Sequence, residues 1–155
     1  MAGPSNDTML VRAGDAVGSQ DMFNKELRTY RKIVGANLMY HREVYGLLRH
    51  LLVEHAPASF RFLDIACGDA SASAAMLRTM AISNYVGIDL SEASLRLAAR
   101  QLEGLPCPVE LRCSDFAQAM AKWSEPVDVI WIGMSLHHVP ARMSAPLLRT
   151  APAPK

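Results

Sequence analysis

Four short apolar runs mark the middle of the chain, and a helical segment separates each from the next. Phe60 to Ala66, Tyr85 to Leu90, Val109 to Cys113 and Val127 to Met134 read as strands, being too short for helices. Between them, Ser71 to Met80 reads as a helix of small residues. Glu92 to Leu102 reads as a helix capped by Ser91, with Glu92 placed to favour the N-terminal dipole. Phe116 to Trp123 reads as a third helix, and Gly104, Pro106 and Pro108 break the chain before the third strand. Strands that alternate with helices restrict the fold to an α/β class, a doubly wound parallel sheet with helices on both faces.

The segments around this core are simpler. With 155 residues the chain fits one such domain. Residues 1–19 lack apolar periodicity and read as a flexible lead-in. Phe23, Leu27, Tyr30 and Val34 then recur at helical spacing until Gly35. A second helix is expected from about Leu38 to His55, with Asn37 as its N-cap and Pro57 as its stop. Residues 20–58 thus form an N-terminal helical cap, residues 59–140 the α/β domain and residues 141–155 a short tail. The Met39-Tyr40-His41 cluster reads as core packing in preference to part of an N-terminal lid over the substrate.

A net charge of +1 advertises neither nucleic acid nor an anionic membrane as partner. The apolar runs fall far short of a spanning helix, and the N-terminus lacks a secretory pattern. Three cysteines without a Cys-x-x-Cys pair suggest reduced thiols in a cytoplasmic protein, and no zinc site.

The stretch FLDIACGDA, residues 62–70, raises a chemical question: an unpaired carboxylate is costly inside an apolar strand, yet Asp64 sits in one. A strand that ends at a ligand has a use for it. In an open parallel sheet, ligands sit beyond the carboxyl ends of the strands. There the chain places Ala66-Cys67-Gly68, Asp89-Leu90, Ser114-Asp115 and Gly133. Small residues at 66, 68 and 70 let backbone approach a ligand closely. Asp89, 21 positions past Gly68, matches an acid that accepts both hydroxyls of a ribose. Asp115 is placed either to take an exocyclic amine while Phe116 packs on a purine, or to cap the next helix. Asp64 suits either the loop's own N–H groups or a cationic ligand. Together these residues describe a nucleoside-bearing cofactor.

A dinucleotide fingerprint would need glycines at 66, 68 and 71, where the chain has Ala66, Gly68 and Ser71. That disfavours a pyrophosphate, and with it an NAD(P)-dependent oxidoreductase. Adjacent His137 and His138 face different ways at a strand end, so they do not suggest a shared metal. Cys67 reads as a small filler and not a nucleophile.

The motifs FLDIACGDA, VGIDLS, CSDF and VDVIWIGMSLHHVP, in that order and spacing over residues 60–140, resemble those of the class I S-adenosyl-L-methionine (SAM)-dependent methyltransferases. The resemblance implies a Rossmann-like sheet that binds SAM, with Gly68 and Asp89 as the most dependable contacts. Ala66 and Ala70 stand where the family usually has glycine. It also implies a strand order 3-2-1-4 and three further strands, for which the remaining chain holds no pattern. The fourth strand would then be an exposed edge for a second copy or a partner chain. The family's amino-methylating nucleic-acid enzymes carry an [DN]-P-P-[YFW] signature after strand four. GMSL stands there in this chain, so a small-molecule acceptor is expected. Methyl transfer needs alignment and exclusion of water more than acid–base work, so no catalytic residue is assigned. The other readings are a non-catalytic SAM-binding or dimerisation module and, less favoured, the oxidoreductase.

Overall fold

The period-two pattern of the first apolar run fixes the centre of the fold. In the structure, a computed structural model that describes residues 28–29, 32–133 and 135, this run forms strand β1 (Phe60–Ile65). It lies within a four-stranded sheet with β2 (Ile82–Asp89), β3 (Val109–Cys113) and β4 (Val129–Ile132). All pairings are parallel and the order is β3-β2-β1-β4, as expected.

Alternation along β1 sorts the core into two faces. Phe60 and Phe62 pack with Leu48 and Leu52 of helix α1 (His41–His55), and with Ala74 and Leu77 of α2 (Ser71–Leu77). Ala98 and Leu102 of α3 (Glu92–Leu102) complete that face. Leu63 and Ile65 point the other way, to Val86, Ile88 and Met120 of α4 (Phe116–Ala121). Helices therefore cover both faces of the sheet. At the end of β1, where the next strand in sequence lies on one side and β4 on the other, the strand order reverses, and open parallel sheets bind ligands at such a point.

Residues 28–42 belong to a unit distinct from the one that begins at Glu43. Within it, residues 32–35 are helical and a turn follows. Asn37 and Tyr40 adopt left-handed φ values of 56° and 55°, so helix α1 starts at His41 and not at Leu38. Asn37 still serves the helix start: its Oδ1 accepts the Arg42 N–H at 3.0 Å. Tyr40 is 70% exposed, which corrects its reading as core.

Strand β4 is shorter than its apolar pattern, for a reason that lies in β1. Arg61 grips Asp128 with both arms of its guanidinium, each at 2.8 Å, while its backbone N–H donates to the same carboxylate at 2.9 Å. The Asp128 N–H returns a bond to the Arg61 carbonyl at 3.1 Å. This pairing holds the Asp128 carboxyl at a pKa of about 2 and sets where β4 joins the sheet. Among the described residues, the two outer strands of the sheet differ in chemistry. Edge strand β3 carries Arg112, which pairs with Glu110 at 2.6 Å and Glu125 at 2.5 Å and lies over the Trp123 ring. Such charge discourages edge-to-edge pairing. Strand β4, with Val129, Ile130, Trp131 and Ile132, carries none. Among the described residues, no helix is long and apolar enough to cross a membrane.

Candidate functional site

The loop that leaves β1 turns by alternation of backbone hand. Ala66, Gly68 and Ala70 take φ values of 54°, 57° and 52°. This left-handed region costs an alanine about 1–2 kcal/mol and a glycine almost nothing. The two positions where the sequence departs from the family's glycines are thus the two that glycine would suit best. Replacing Ala66, which is only half-buried, by glycine is expected to stabilise the fold by about 0.5–1 kcal/mol in urea unfolding. Ala70 packs its methyl in the core, so the same change there is expected to gain less. Equal gains at the two positions would contradict this account.

The loop is anchored to the end of β2. The Cys67 N–H donates to the Ile88 carbonyl at 3.1 Å. The Gly68 N–H donates to Asp89 Oδ2 at 2.8 Å, and the Ser91 N–H donates to Asp89 Oδ1 at 2.9 Å. One carboxylate thereby ties the first two strand ends together. A Cβ placed on Gly68 would meet nothing within 4 Å, so the loop faces open space at that residue. Asp69 turns the chain into α2, its Oδ1 accepting from the Ser71 N–H and hydroxyl at 3.1 and 2.7 Å.

Asp64 lies beneath this loop, between Gly87 of β2 and Trp131 of β4 in register. It accepts no loop N–H among the bonds of the described residues. Instead its Oδ2 accepts the Ser73 hydroxyl at 2.5 Å and the Tyr85 hydroxyl at 2.7 Å. Burial raises the Asp64 pKa to about 6; the two hydroxyls oppose the rise and the nearby Asp89 charge adds to it. Tyr85 reaches Asp64 from within the core, its ring stacked on Phe62 with centroids 6.1 Å apart. The neighbouring Cys67 thiol is pushed well above its usual range by burial and by the charges of Asp64, Asp89 and Asp69. A thiol held protonated is no nucleophile, in keeping with its reading as a filler.

The other expected contacts divide. Leu90 is 69% exposed beside Asp89, an apolar surface at the site. Asp115 caps α4, its Oδ1 accepting the Gln118 N–H at 3.0 Å. The side chain of Phe116, and His137 and His138, lie outside the described residues. Gly133 is required by packing: a Cβ there would come within 2.7 Å of the Trp131 indole nitrogen and 3.0 Å of the Tyr45 hydroxyl. Those two side chains meet edge to face, and the indole N–H donates to Tyr45 at 3.2 Å.

Tyr45, Ser73, Tyr85 and Gly87 are site residues that sequence reasoning missed. Only Gly87 carried a local signal, an isolated glycine within a strand, which marks a close approach.

A family model described as a methyltransferase domain matches residues 62–151. Among solved structures, the chain is similar to a SAM-dependent methyltransferase from Thiobacillus denitrificans in complex with S-adenosyl-L-homocysteine. The identity is 25% and the TM-score 0.53, over 70% of this chain and 43% of that one. It is also similar to a TehB-like SAM-dependent methyltransferase from Corynebacterium glutamicum, at 16% identity and a TM-score of 0.60, over 82% of this chain and 65% of that one. A third similar structure is an S-adenosylmethionine-dependent methyltransferase from Clostridium acetobutylicum, at 17% identity and a TM-score of 0.58, over 84% of this chain and 52% of that one. No curated protein matches the sequence. The chain spans less than half of the first of these structures. Because the family model covers more than half of its residues, the chain belongs to the methyltransferase domain family.

Proposed function

We propose that the chain binds SAM beyond the carboxyl ends of β1 and β2 and transfers its methyl group to a small-molecule acceptor. The observation that carries this reading is the Asp89 carboxylate. Each of its oxygens accepts one backbone N–H, from Gly68 or Ser91, and each keeps a second acceptor position. A ribose diol needs two adjacent acceptors, and the open space over Gly68 lets a ligand approach them. Exposed Leu90 offers an apolar platform for a base. Asp115 has a second oxygen for an exocyclic amine, with Phe116 beside it. Asp64 supplies negative charge behind the loop and suits a cationic cofactor.

Bound SAM would supply an activated methyl group on a sulfonium, which a good nucleophile takes without acid–base help. The residues of this chain then have two tasks, to hold the cofactor in line and to exclude water. Another reading is a SAM-binding module without turnover. It predicts cofactor binding without methyl transfer.

The reading is tested by calorimetry of SAM, S-adenosylhomocysteine and NADH on the 155-residue chain. Asp89→Ala removes both ribose acceptors and the loop tether, and is expected to weaken SAM binding by at least about 30-fold. Unchanged affinity in that variant would move the cofactor elsewhere, and a folded chain that binds NADH in preference to SAM would restore the oxidoreductase reading.

A further inference from the structure

We infer that Asp64 makes this site discriminate by charge between the two forms of its cofactor, releasing a proton to solvent when the sulfonium form binds and largely keeping it when the thioether product binds. This rests on the SAM reading above and assigns Asp64 a separate task within it.

Asp64 is 2% exposed, and both of its hydrogen-bond donors, Ser73 and Tyr85, converge on the single oxygen Oδ2. Two neutral hydroxyls only partly replace the water that an ionised carboxylate gives up on burial. Among the described residues, neither Asp64 nor Asp89 has an ion-pair partner. Among the described residues, the charged group that acts on Asp64 is Asp89, which disfavours its ionised form. The end of β2 contributes Asp89, and the loop contributes Cys67, whose thiol stays protonated, and Asp69, whose charge acts on that thiol. The Tyr85 phenol of β2 is pushed well above its usual range, by burial first, with Tyr45 of α1 among the groups acting on it. The facing residues of α2 and β4, Ser73 and Trp131, do not titrate. A half-protonated acid near pH 6 is the result.

A buried, uncompensated carboxylate responds to a nearby positive charge more than an exposed one does, because little solvent screens the attraction. A cation brought over the loop favours the ionised form, and the proton leaves for the buffer. SAM carries one positive charge more than S-adenosylhomocysteine, the charge lost with the methyl group. Asp64 therefore holds the charged form more tightly than the neutral product, and the preference grows with pH through 6.

The test is calorimetric titration at pH 6 in buffers of different ionisation enthalpy, with SAM and with S-adenosylhomocysteine. If the cation lowers the Asp64 pKa by about one unit, roughly 0.4 proton is released per SAM bound, and no more than about half of that per S-adenosylhomocysteine. SAM affinity is then expected to rise about fivefold between about pH 5 and pH 7.5. Asp64→Asn abolishes the release and narrows the difference between the two ligands. Tyr85→Phe removes one donor to the carboxylate and is expected to move the midpoint of the SAM pH profile upward. Equal proton release for both ligands, or release that persists in Asp64→Asn, overturns the inference while leaving the SAM site in place. If a folded chain binds neither ligand, the SAM reading and this inference fall together.

Discussion

Replacing Asp64 by asparagine is expected to flatten the pH dependence of stability between about pH 4.5 and 7, and to leave the folded state more stable at neutral pH. The folded-state pKa of Asp64 is about 6 against an ordinary value of 3.8. Between those values the folded chain binds more protons than the unfolded one, so stability falls as pH rises through the window. Above pH 6 the full penalty is present. A shift of about two units corresponds to about 3 kcal/mol, the cost of keeping a charge in the core. Asparagine has a carbonyl oxygen that can accept both the Ser73 and Tyr85 hydroxyls, since both now meet one oxygen. Its amide brings two donors that need partners, so the net gain at pH 7.5 is expected to be smaller, about 1–2 kcal/mol. The slope is the sharper readout. Asp128 and Glu110 have lowered pKa values and contribute stability that is lost as pH falls through their ordinary values of 3.8 and 4.5, a loss the two proteins share, so it cancels in their difference. Urea unfolding of both proteins at about pH 4.5, 6 and 7.5 measures the difference directly. A wild-type stability that rises relative to Asp64→Asn across that range would show that the carboxylate is compensated in the folded state, and the present account of its burial would fail.

The parts of this fold that were legible in sequence are those whose cause is local. Helix α3 and strand β3 run over the residues expected, because Ser91 caps the one and Pro108 precedes the other. That Gly68 stands just past β1 and Asp89 at the end of β2 was legible, but the bond from the Gly68 N–H to the Asp89 carboxylate was not. Where the cause lies far along the chain, pattern fails. Nothing around Asp128 reveals that Arg61, 67 positions earlier, will hold it and delay the start of β4. Strand β2 begins at Ile82 and not Tyr85, because Ile82 pairs with Phe60 across a register shift that no alternation records. The partners of Asp64 were hidden for the same reason. Ser73 and Tyr85 look like a helix residue and a strand aromatic until the register places them over one carboxylate.

Gly87→Ala is expected to destabilise the fold by about 1–3 kcal/mol, and the route by which it does so tests how the site is supported. The backbone at Gly87 needs no unusual hand, so the objection to a side chain is space alone. A Cβ would stand 2.8 Å from Leu111 Cδ2, 3.0 Å from Cys67 Sγ and 3.1 Å from Tyr85 Cε1. These three neighbours differ in freedom. Leu111 is half-buried on edge strand β3, and its methyl can swing away. Tyr85 is fully buried, stacked on Phe62 and bonded to Asp64, so it has nowhere to go. Strain is therefore expected to fall on Leu111 first. A double-mutant cycle with Leu111→Ala should return at least about 0.5 kcal/mol of favourable coupling. The hydrogen bond from Tyr85 to Asp64 is then retained, and the pH midpoint of Gly87→Ala stays near that of the wild type. If the coupling is absent and the midpoint moves upward, the methyl group has displaced the phenol instead, and Asp64 has lost a donor. An unfolding midpoint equal to the wild type would mean that the sheet opens at Gly87 without cost, and that the close approach of Cys67 and Tyr85 does not hold the loop. The glycine thus links strand packing to the site: by leaving room for the phenol and the thiol, it lets the core reach the carboxylate under the loop.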